Sequence, residues 1–568
     1  MRPKRLKKFF TNWRFYFITT IFLFLVAIII WRLYSLQILH YKDFSQKVAA
    51  QVKTTEKIKN DLQYVRGSIY FQTKNNNLIP VAVNKNFYEI YVVPKEIENK
   101  TEVADILSKK FGLNYEDLII KFSKTSSLYE LLIKRADEDI VNQVKDLNIK
   151  GIYIKEYIGR YYPYKEFASQ VIGYVKNDLT DFHGQYGLER YYDKYLANQP
   201  LSSNIFDFLS LDKLIYKRNN FDIISTIDFN IQKKAEDLLK ENVKKWEATS
   251  GNVIVLEPKT GKVLAMANYP NFDPNNYSDY DISSFVNPCV ESIYEPGSVF
   301  KIITVAAGLD SKRITPKTEF YDNGEILVDG KKIQNWDLKA HGLVNVYEII
   351  ANSLNTGAAF LEKLIGHDIF HQYVLKFGFD QRTGIDLPNE IKGNIKNLKT
   401  FNDIHFATAA FGQAISVTPI EMINAFSAIA NNGLMMQPFV VEKIIDAKGD
   451  IKSVFSSQEK ERIINEEVAN QLRMIMVYSV DKNQIAAIKG YQIAGKTGTA
   501  QIAGSDGKYS SDQTIQSFIG YAPAENPRFI VLVKLDKPKA PLAGQTVVPM
   551  FRELIKYLLD YYEIPPTL

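Results

Sequence analysis

The segment FYFITTIFLFLVAIIIW, residues 15–31, carries no charged side chain. Such a run belongs either in a hydrophobic core or in a membrane, and its flanks decide between them. Residues 1–14 hold six basic residues and no acid, and the first acid in the chain is Asp43. About 20 apolar residues in a helix cross a bilayer core, and a basic flank stays on the cytoplasmic side. Leu33–Leu39 extend the run past Arg32, whose stem can carry its charge to the interface. Trp13, Tyr16, Trp31 and Tyr34 stand near the two ends, where aromatic belts form. A cleaved signal peptide is the alternative, but its apolar region is shorter and ends in small residues. Here IIIWRLYSLQIL follows. The expectation is a cytoplasmic tail at 1–14, an uncleaved single-pass helix at 15–39, and an extracytoplasmic remainder.

Charge then narrows the function. Apart from that tail the chain holds 64 basic and 64 acidic residues. A nucleic-acid enzyme carries its basic excess on a folded domain, so nucleic acid is not an expected partner. One cysteine, Cys289, cannot form an internal disulfide, and with six scattered histidines it gives no metal-ligand spacing. A buried, inert thiol is expected at Cys289, with no metal and no cofactor.

The 568 residues are enough for two or more domains. Residues 40–220 mix β-rich runs such as NFYEIYVVP (86–94) with charged helical runs such as EVADILSKKFG (102–112). They read as an α+β spacer or docking region without a catalytic cluster. A second region, 221–568, opens with a strand and a long helix at DIISTIDFNIQKKAEDLLKENVKKW. GNVIVLEPKTGKVLAMAN (251–268) is a hairpin around a Pro-Lys-Thr-Gly turn. Helical stretches follow near 345–365, 367–377 and 419–432, then a hairpin at 515–536 and a last helix at 547–562. Strands at both ends with helices between predict an α+β domain, its antiparallel sheet built from sequence-distant strands and flanked by helices.

Five Ser-x-x-Lys pairs occur, beginning at Ser210, Ser298, Ser457, Ser479 and Ser505. Only Ser298–Lys301, in YEPGSVFKIITVAAGL, combines a Pro-Gly turn, a helix start and an apolar continuation. Residues three apart share a helix face. A serine hydroxyl needs a base, and a buried lysine beside positive charge can be one. SLDK, SQEK and SVDK put an acid next to the lysine, which favours its charged form, and SDGK reads as a polar loop. The ordinary alternative is an N-cap serine followed by a surface lysine.

Two further segments bear on that choice. NSLNTG supplies Ser353 and Asn355, although Ser-x-Asn also occurs at Ser202 and Ser250. IAGKTGTAQ supplies Lys496, Thr497, Gly498 and Thr499. Lys496 offers a cation for a carboxylate, and Gly498 lets a strand edge come close to a substrate backbone. A second Lys-Thr-Gly at Lys259–Gly261 falls in the hairpin turn and reads as structural.

The order Ser-x-x-Lys, Ser-x-Asn, Lys-Thr-Gly resembles the penicillin-recognising acyl-serine enzymes. Among them it is most similar to the class B penicillin-binding proteins, peptidoglycan D,D-transpeptidases. STIDFNIQ, LEPKTGKVLAMANYPNFDPN and AAFGQAISVTPIEMINAFSAIANNG resemble flanking blocks of that catalytic domain. RGSI at Arg66, RYYP at Arg160 and GQYGLER at Gly184 resemble motifs of the class B pedestal. The continuation YFQTKNNN after RGSI departs from the Asp-Arg-Asn-Gly-like turn usual there. The resemblance implies Ser298 as the acylated nucleophile, Lys301 as its base, and Ser353 and Asn355 relaying protons and holding the substrate amide. Lys496 and Thr497 would bind the terminal carboxylate of a stem peptide or a β-lactam, and the N–H groups of Ser298 and Thr499 would form an oxyanion hole. It further implies a bacterial plasma-membrane protein of cell-wall synthesis, of septal rather than elongation type. Its expected partner is a membrane glycosyltransferase of the shape, elongation, division and sporulation family.

Rival readings differ in what they require. A serine β-lactamase needs neither anchor nor spacer. A β-lactam sensor has several spans, and a bifunctional class A enzyme has an added glycosyltransferase domain. A catalytically idle division scaffold has no need of Ser298, Lys301, Asn355 and Lys496. A D,D-carboxypeptidase differs only in using water as acceptor, which motifs do not separate.

Overall fold

The computed structural model describes residues 6–35, 65–176, 183–197, 220–400, 402–484, 486–503 and 509–567. It divides into two units, residues 1–64 and 65–568. The first contributes one helix, α1 (Leu6–Tyr34), which exposes large apolar side chains from Phe17 to Trp31. Among the described residues no helix is long and apolar enough to cross a membrane. The fold therefore leaves the anchor as an expectation, and positions 36–39 and 40–64 lie outside the described residues.

The second unit starts with β1 (Ile69–Gln72) and β2 (Leu78–Val92), followed by α2 (Lys100–Phe111), α3 (Tyr115–Ser123), β3 (Glu130–Ala136), α4 (Glu138–Asp146) and β4 (Ile152–Tyr161). The long β2 pairs antiparallel with β1 near its start and with both β3 and β4 further on. A short helix, α5 (Gly187–Tyr191), then brings Glu189 into the interior. This carboxylate joins the three pedestal segments read from the sequence. Its Oε2 lies 3.0 Å from Arg66 Nη2 and its Oε1 2.6 Å from Arg160 Nε, and all three side chains are essentially unexposed. Arg66 also pairs with Asp193 at 2.7 Å. The Tyr162 hydroxyl donates to Glu189 Oε1 and accepts from Val175 N.

The second region of the sequence begins at β5 (Asp222–Asp228) and α6 (Phe229–Lys245), which Asp228 caps by accepting from Asn230 N and Ile231 N. β5 runs parallel to β1 and antiparallel to β12 (Val441–Ile445), which in turn pairs with β13 (Ile451–Val454). One seven-stranded sheet therefore continues from the pedestal into the second region. Gly67 permits the junction, since a Cβ there would sit 1.7 Å from the Phe221 carbonyl oxygen.

The central sheet is the expected one. Hairpin β6 (Ser250–Leu256) and β7 (Val263–Tyr269) joins three strands from the far end of the chain, β14 (Ala494–Ala503), β15 (Tyr509–Ala522) and β16 (Phe529–Asp536). The order is β14-β15-β16-β6-β7, all antiparallel, with β14 at an edge. Alternate residues serve two cores. Val253, Val255, Val531 and Val533 pack against α6 and the last helix, α13 (Val547–Tyr561). Ile254, Leu256, Ile530 and Leu532 face the larger core, with the helices between the two halves of the sheet. Burial on both faces explains the unbroken apolar run FIVLV.

Between the sheet halves lie α7 (Lys301–Asp310) and two small ribbons, β8 (Glu319–Asp322) with β11 (Gly342–Asn345) and β9 (Glu325–Val328) with β10 (Lys331–Gln334). Next come α8 (Val346–Ala351), α9 (Asn355–Ile365), α10 (His367–Lys376), α11 (Pro419–Ala430) and α12 (Glu466–Asn483). The helical stretch expected near 345–365 is two helices, because Ser353 takes a left-handed backbone, φ 57°, between α8 and α9. Cys289 is fully buried, as expected, with its thiol against Asn268 Oδ1.

The Glu189 cluster sets a testable load on the pedestal. Glu189→Ala leaves two buried guanidiniums short of their shared carboxylate and should destabilise the fold by roughly 3–5 kcal/mol. Thermal and urea unfolding measure this, and a loss within experimental error would show that the pedestal does not depend on the cluster.

Candidate active site

Pro296 and Gly297 form the turn expected before Ser298, with Gly297 at φ 59°. The next residues differ from the expected α-helix. Gly297–Phe300 is a 3₁₀ turn, and the α-helix begins at Lys301. In a 3₁₀ turn side chains at i and i+3 eclipse, so Ser298 and Lys301 align more directly than in an α-helix. Ser298 is half-buried at the surface of this turn, whereas Lys301 is fully buried.

Lys301 Nζ reaches the α8–α9 break. It donates to Ser353 O at 2.6 Å and to Asn355 Oδ1 at 2.8 Å, and lies 3.3 Å from Ser353 Oγ. The left-handed Ser353 aims its carbonyl here, a conformation rare for a residue with a Cβ. Asn355 Nδ2 donates to Gln334 O at 2.9 Å, which fixes Oδ1 as the atom facing Lys301. Burial, aided by the charge of Lys496, pushes the Lys301 ammonium well below its ordinary range. A neutral amine has two N–H groups and one lone pair. The two obligate acceptors use the N–H groups, so the lone pair is left for a hydroxyl.

Lys496 lies on the edge strand β14, 2% exposed. Its Nζ is 3.0 Å from Ser353 Oγ, 3.1 Å from Thr497 O and 3.3 Å from Thr497 Oγ1. Burial lowers its pKa to about 7. Ser353 Oγ therefore sits between two amines, each with a depressed pKa. Thr497 is half-buried and Thr499 exposed beside them.

Gly498 also permits a close approach within the protein. A Cβ there would meet Ser517 Oγ at 2.4 Å and Pro296 O at 3.0 Å. The missing side chain makes room for the turn that carries Ser298. A Cβ on Gly297 would in turn meet Thr499 O at 2.9 Å, and Gly297 N donates to Gly412 O at 3.0 Å. Two glycines thus seat the serine turn against the sheet edge.

All eight expected residues, Ser298, Lys301, Ser353, Asn355, Lys496, Thr497, Gly498 and Thr499, belong to these adjoining elements. The competing pairs do not form such a setting. Ser457–Lys460 spans a loop and the start of a strand, and Ser479–Lys482 ends α12 with Lys482 exposed. Ser210–Lys213 and the polar pair at 505–508 lie outside the described residues. Lys460 adjoins Glu459, yet desolvation lowers its pKa, an effect that sequence adjacency does not reveal. The Lys259–Gly261 copy is a turn, held by Thr260 Oγ1 on Glu257. Sequence reasoning missed Asn335, whose side chain accepts from Asn355 N across 20 residues. No local pattern marks a contact of that separation.

Gly297→Ala forces an alanine into the left-handed region, at roughly 1–2 kcal/mol, and also presses on Thr499 O. Gly498→Ala should be comparably destabilising, and Ser517→Ala in the same chain should recover part of the loss. Chemical denaturation checks both, and an unchanged Gly498→Ala midpoint would refute the close-approach argument.

Residues 251–556 match the penicillin binding protein transpeptidase domain, and residues 62–204 the penicillin-binding protein dimerisation domain. The chain is 32% identical to stage V sporulation protein D of Bacillus subtilis over 87% of this chain and 78% of that one. It is 28% identical to the peptidoglycan D,D-transpeptidase FtsI of Buchnera aphidicola (subsp. Schizaphis graminum), over 100% of this chain and 98% of that one. The fold is similar to penicillin binding protein 3 of Mycobacterium tuberculosis in complex with aztreonam, with TM-score 0.69 and 24% identity. That match covers 89% of this chain and 98% of that one. A transpeptidase domain that fills more than half of the chain, preceded by the dimerisation domain, makes this protein a member of the class B penicillin-binding proteins.

Proposed function

We propose that this protein cross-links peptidoglycan as a serine-type D,D-transpeptidase, and that β-lactams acylate it at the same residue. The observation that carries the reading is the buried Lys301 amine, held at Ser353 and Asn355 one 3₁₀ turn from Ser298. Neutral Lys301 takes the Ser298 proton as Oγ attacks the penultimate D-Ala carbonyl of a stem peptide. The N–H groups of Ser298 and Thr499 receive the developing oxyanion. Ser353 Oγ, between the two amines, gives its proton to the departing D-Ala nitrogen and regains one from protonated Lys301. The amine of a second stem then attacks the ester, loses a proton to neutral Lys301, and that proton returns to Ser298 Oγ as the C–O bond breaks. Lys496 and Thr497 hold the terminal carboxylate of the stem, or the carboxylate of a β-lactam.

Water in place of the acceptor amine would make the chain a carboxypeptidase, and an idle scaffold would retain the fold alone. The domain plan that fits is a tail at 1–14, an anchor at 15–39, a pedestal at 40–220 and a catalytic domain at 221–568. The uncharged run at 15–31 together with the basic tail favours a single-pass protein of the bacterial plasma membrane with its catalytic domain outside. A septal role beside a membrane glycosyltransferase follows from the same reading.

Mixing the full-length chain in detergent with a fluorescent penicillin should give one covalent adduct by intact mass, absent in Ser298→Ala. A folded wild type without adduct, and without turnover of a D-Ala-D-Ala thioester, would leave the scaffold.

The two lysines give opposite pH dependences. Acylation needs neutral Lys301, so its rate falls as pH drops through that depressed pKa. Carboxylate binding needs charged Lys496, whose pKa is about 7. Affinity for a β-lactam before acylation should be full below that value. Above it, affinity should decline toward about tenfold per pH unit, until the pKa of the bound state is reached. Lys496→Arg keeps its charge and should abolish the decline, and a flat wild-type profile would overturn the assignment.

Removing residues 1–40 should move the protein from the membrane pellet to the supernatant. Replacing 15–39 by an unrelated span should abolish co-purification with the glycosyltransferase. Unchanged co-purification would remove the helix from that interface.

A further inference from the structure

We infer that Asn335 and Asp322 are positioning residues, which fix Asn355 and through it the direction in which Lys301 presents its lone pair. The inference rests on the acyl-transfer reading above. Neither residue is among those that hold Lys301 or Lys496. Asn335 is 1% exposed and Asp322 fully buried.

The geometry is that of a helix cap supplied from a distance. α9 has Leu354 at its N-cap, a side chain with no acceptor. First-turn N–H groups of a helix need acceptors from outside it. Asn335 Oδ1 accepts from Asn355 N at 3.0 Å and from Thr356 N at 3.3 Å, and lies 3.0 Å from Thr356 Oγ1. Its Nδ2 donates to Asp322 Oδ2 at 2.8 Å and to Lys339 O at 3.2 Å. Acceptors on one side and donors on the other leave the amide a single orientation.

Asp322 anchors that amide. Its Oδ1 accepts from Gly324 N at 3.0 Å and Thr356 Oγ1 at 2.8 Å, and its Oδ2 accepts also from His341 N at 3.1 Å. Four donors compensate one buried carboxylate. The neighbouring residue completes the clamp, since Gln334 O takes Asn355 Nδ2. Gln334 and Asn335 together therefore hold both the side chain and the backbone of Asn355. A local capping side chain at 354 would satisfy the same N–H groups without tying them to the β8–β11 and β9–β10 ribbons. The remote cap fixes where Asn355 Oδ1 stands relative to Lys301. With the cap lost, the acceptor wanders and the lone pair loses its aim, while the carboxylate pocket at Lys496 stays intact.

The test is pre-steady-state acylation of the full-length chain by a fluorescent penicillin. It separates the dissociation constant of the first complex from the acylation rate. Asn335→Ala should slow acylation by about tenfold to a hundredfold, with the dissociation constant within about threefold of wild type. In an Asn355→Ala background the same change should alter acylation by less than about twofold, because Asn335 acts only through Asn355. Asp322→Asn, nearly isosteric, puts a donor where Asn335 now donates. It should turn the Asn335 amide and slow acylation in the same direction. If Asn335→Ala does not fold, Asp322→Asn is read on the same scales, alone and with Asn355→Ala. Multiplying effects in the Asn355→Ala background, or acylation within about twofold of wild type for the folded variants, would overturn the inference. A wild type that is never acylated would instead refute the acyl-transfer reading, and the inference with it.

Discussion

Lys301 enters the interior at the first turn of α7, and none of its side chain reaches solvent. Its ammonium form is disfavoured there by lost hydration, and Lys496 adds repulsion. What offsets the loss is a small set of oxygens, Ser353 O and Asn355 Oδ1 above all. Much of the surrounding architecture can be understood as keeping those oxygens in place. The α8–α9 break, the left-handed Ser353 and the Asn335 cap all set the position of the residues that accept from this amine. A buried lysine is costly to stability, and the domain bears this one at the end of the turn that carries Ser298.

The second constraint is the seating of the serine turn on the sheet edge. Gly297 and Gly498 meet at a separation that excludes a Cβ on either. β14 can approach so closely because it is the edge strand and has one free side. Behind it the sheet is rigid, with apolar layers on both faces. Ser298 thus stands on a turn, Lys301 in a core helix and Lys496 on a strand. A rigid sheet and a large core hold the three in register.

The pedestal is organised by a different kind of interaction. Its core next to the catalytic region is pinned by one carboxylate, Glu189, shared between Arg66 and Arg160. The parallel pairing of β1 with β5 then carries the pedestal sheet into the catalytic region. Geometry at the junction is therefore transmitted through backbone hydrogen bonds as well as side-chain packing.

The sequence alone determined much of this. β-rich runs around turn residues located the hairpins at 251–268 and 515–536, and motif order singled out Ser298, Lys301, Ser353, Asn355 and Lys496. These signals are legible because turn residues, periodicity and spacing are local properties of the chain. Only the tertiary structure decided the rest. It showed a 3₁₀ turn under Ser298, a left-handed residue at 353 and a glycine at 498 that makes room for Pro296 and Ser517. It also showed that desolvation lowers the pKa of Lys460 despite an acidic neighbour in sequence, and that Asn335 caps a helix 20 residues away. Each of these depends on desolvation or on contact between distant segments. Burial and remote hydrogen bonds exist only once the chain has folded, so no window of sequence contains them.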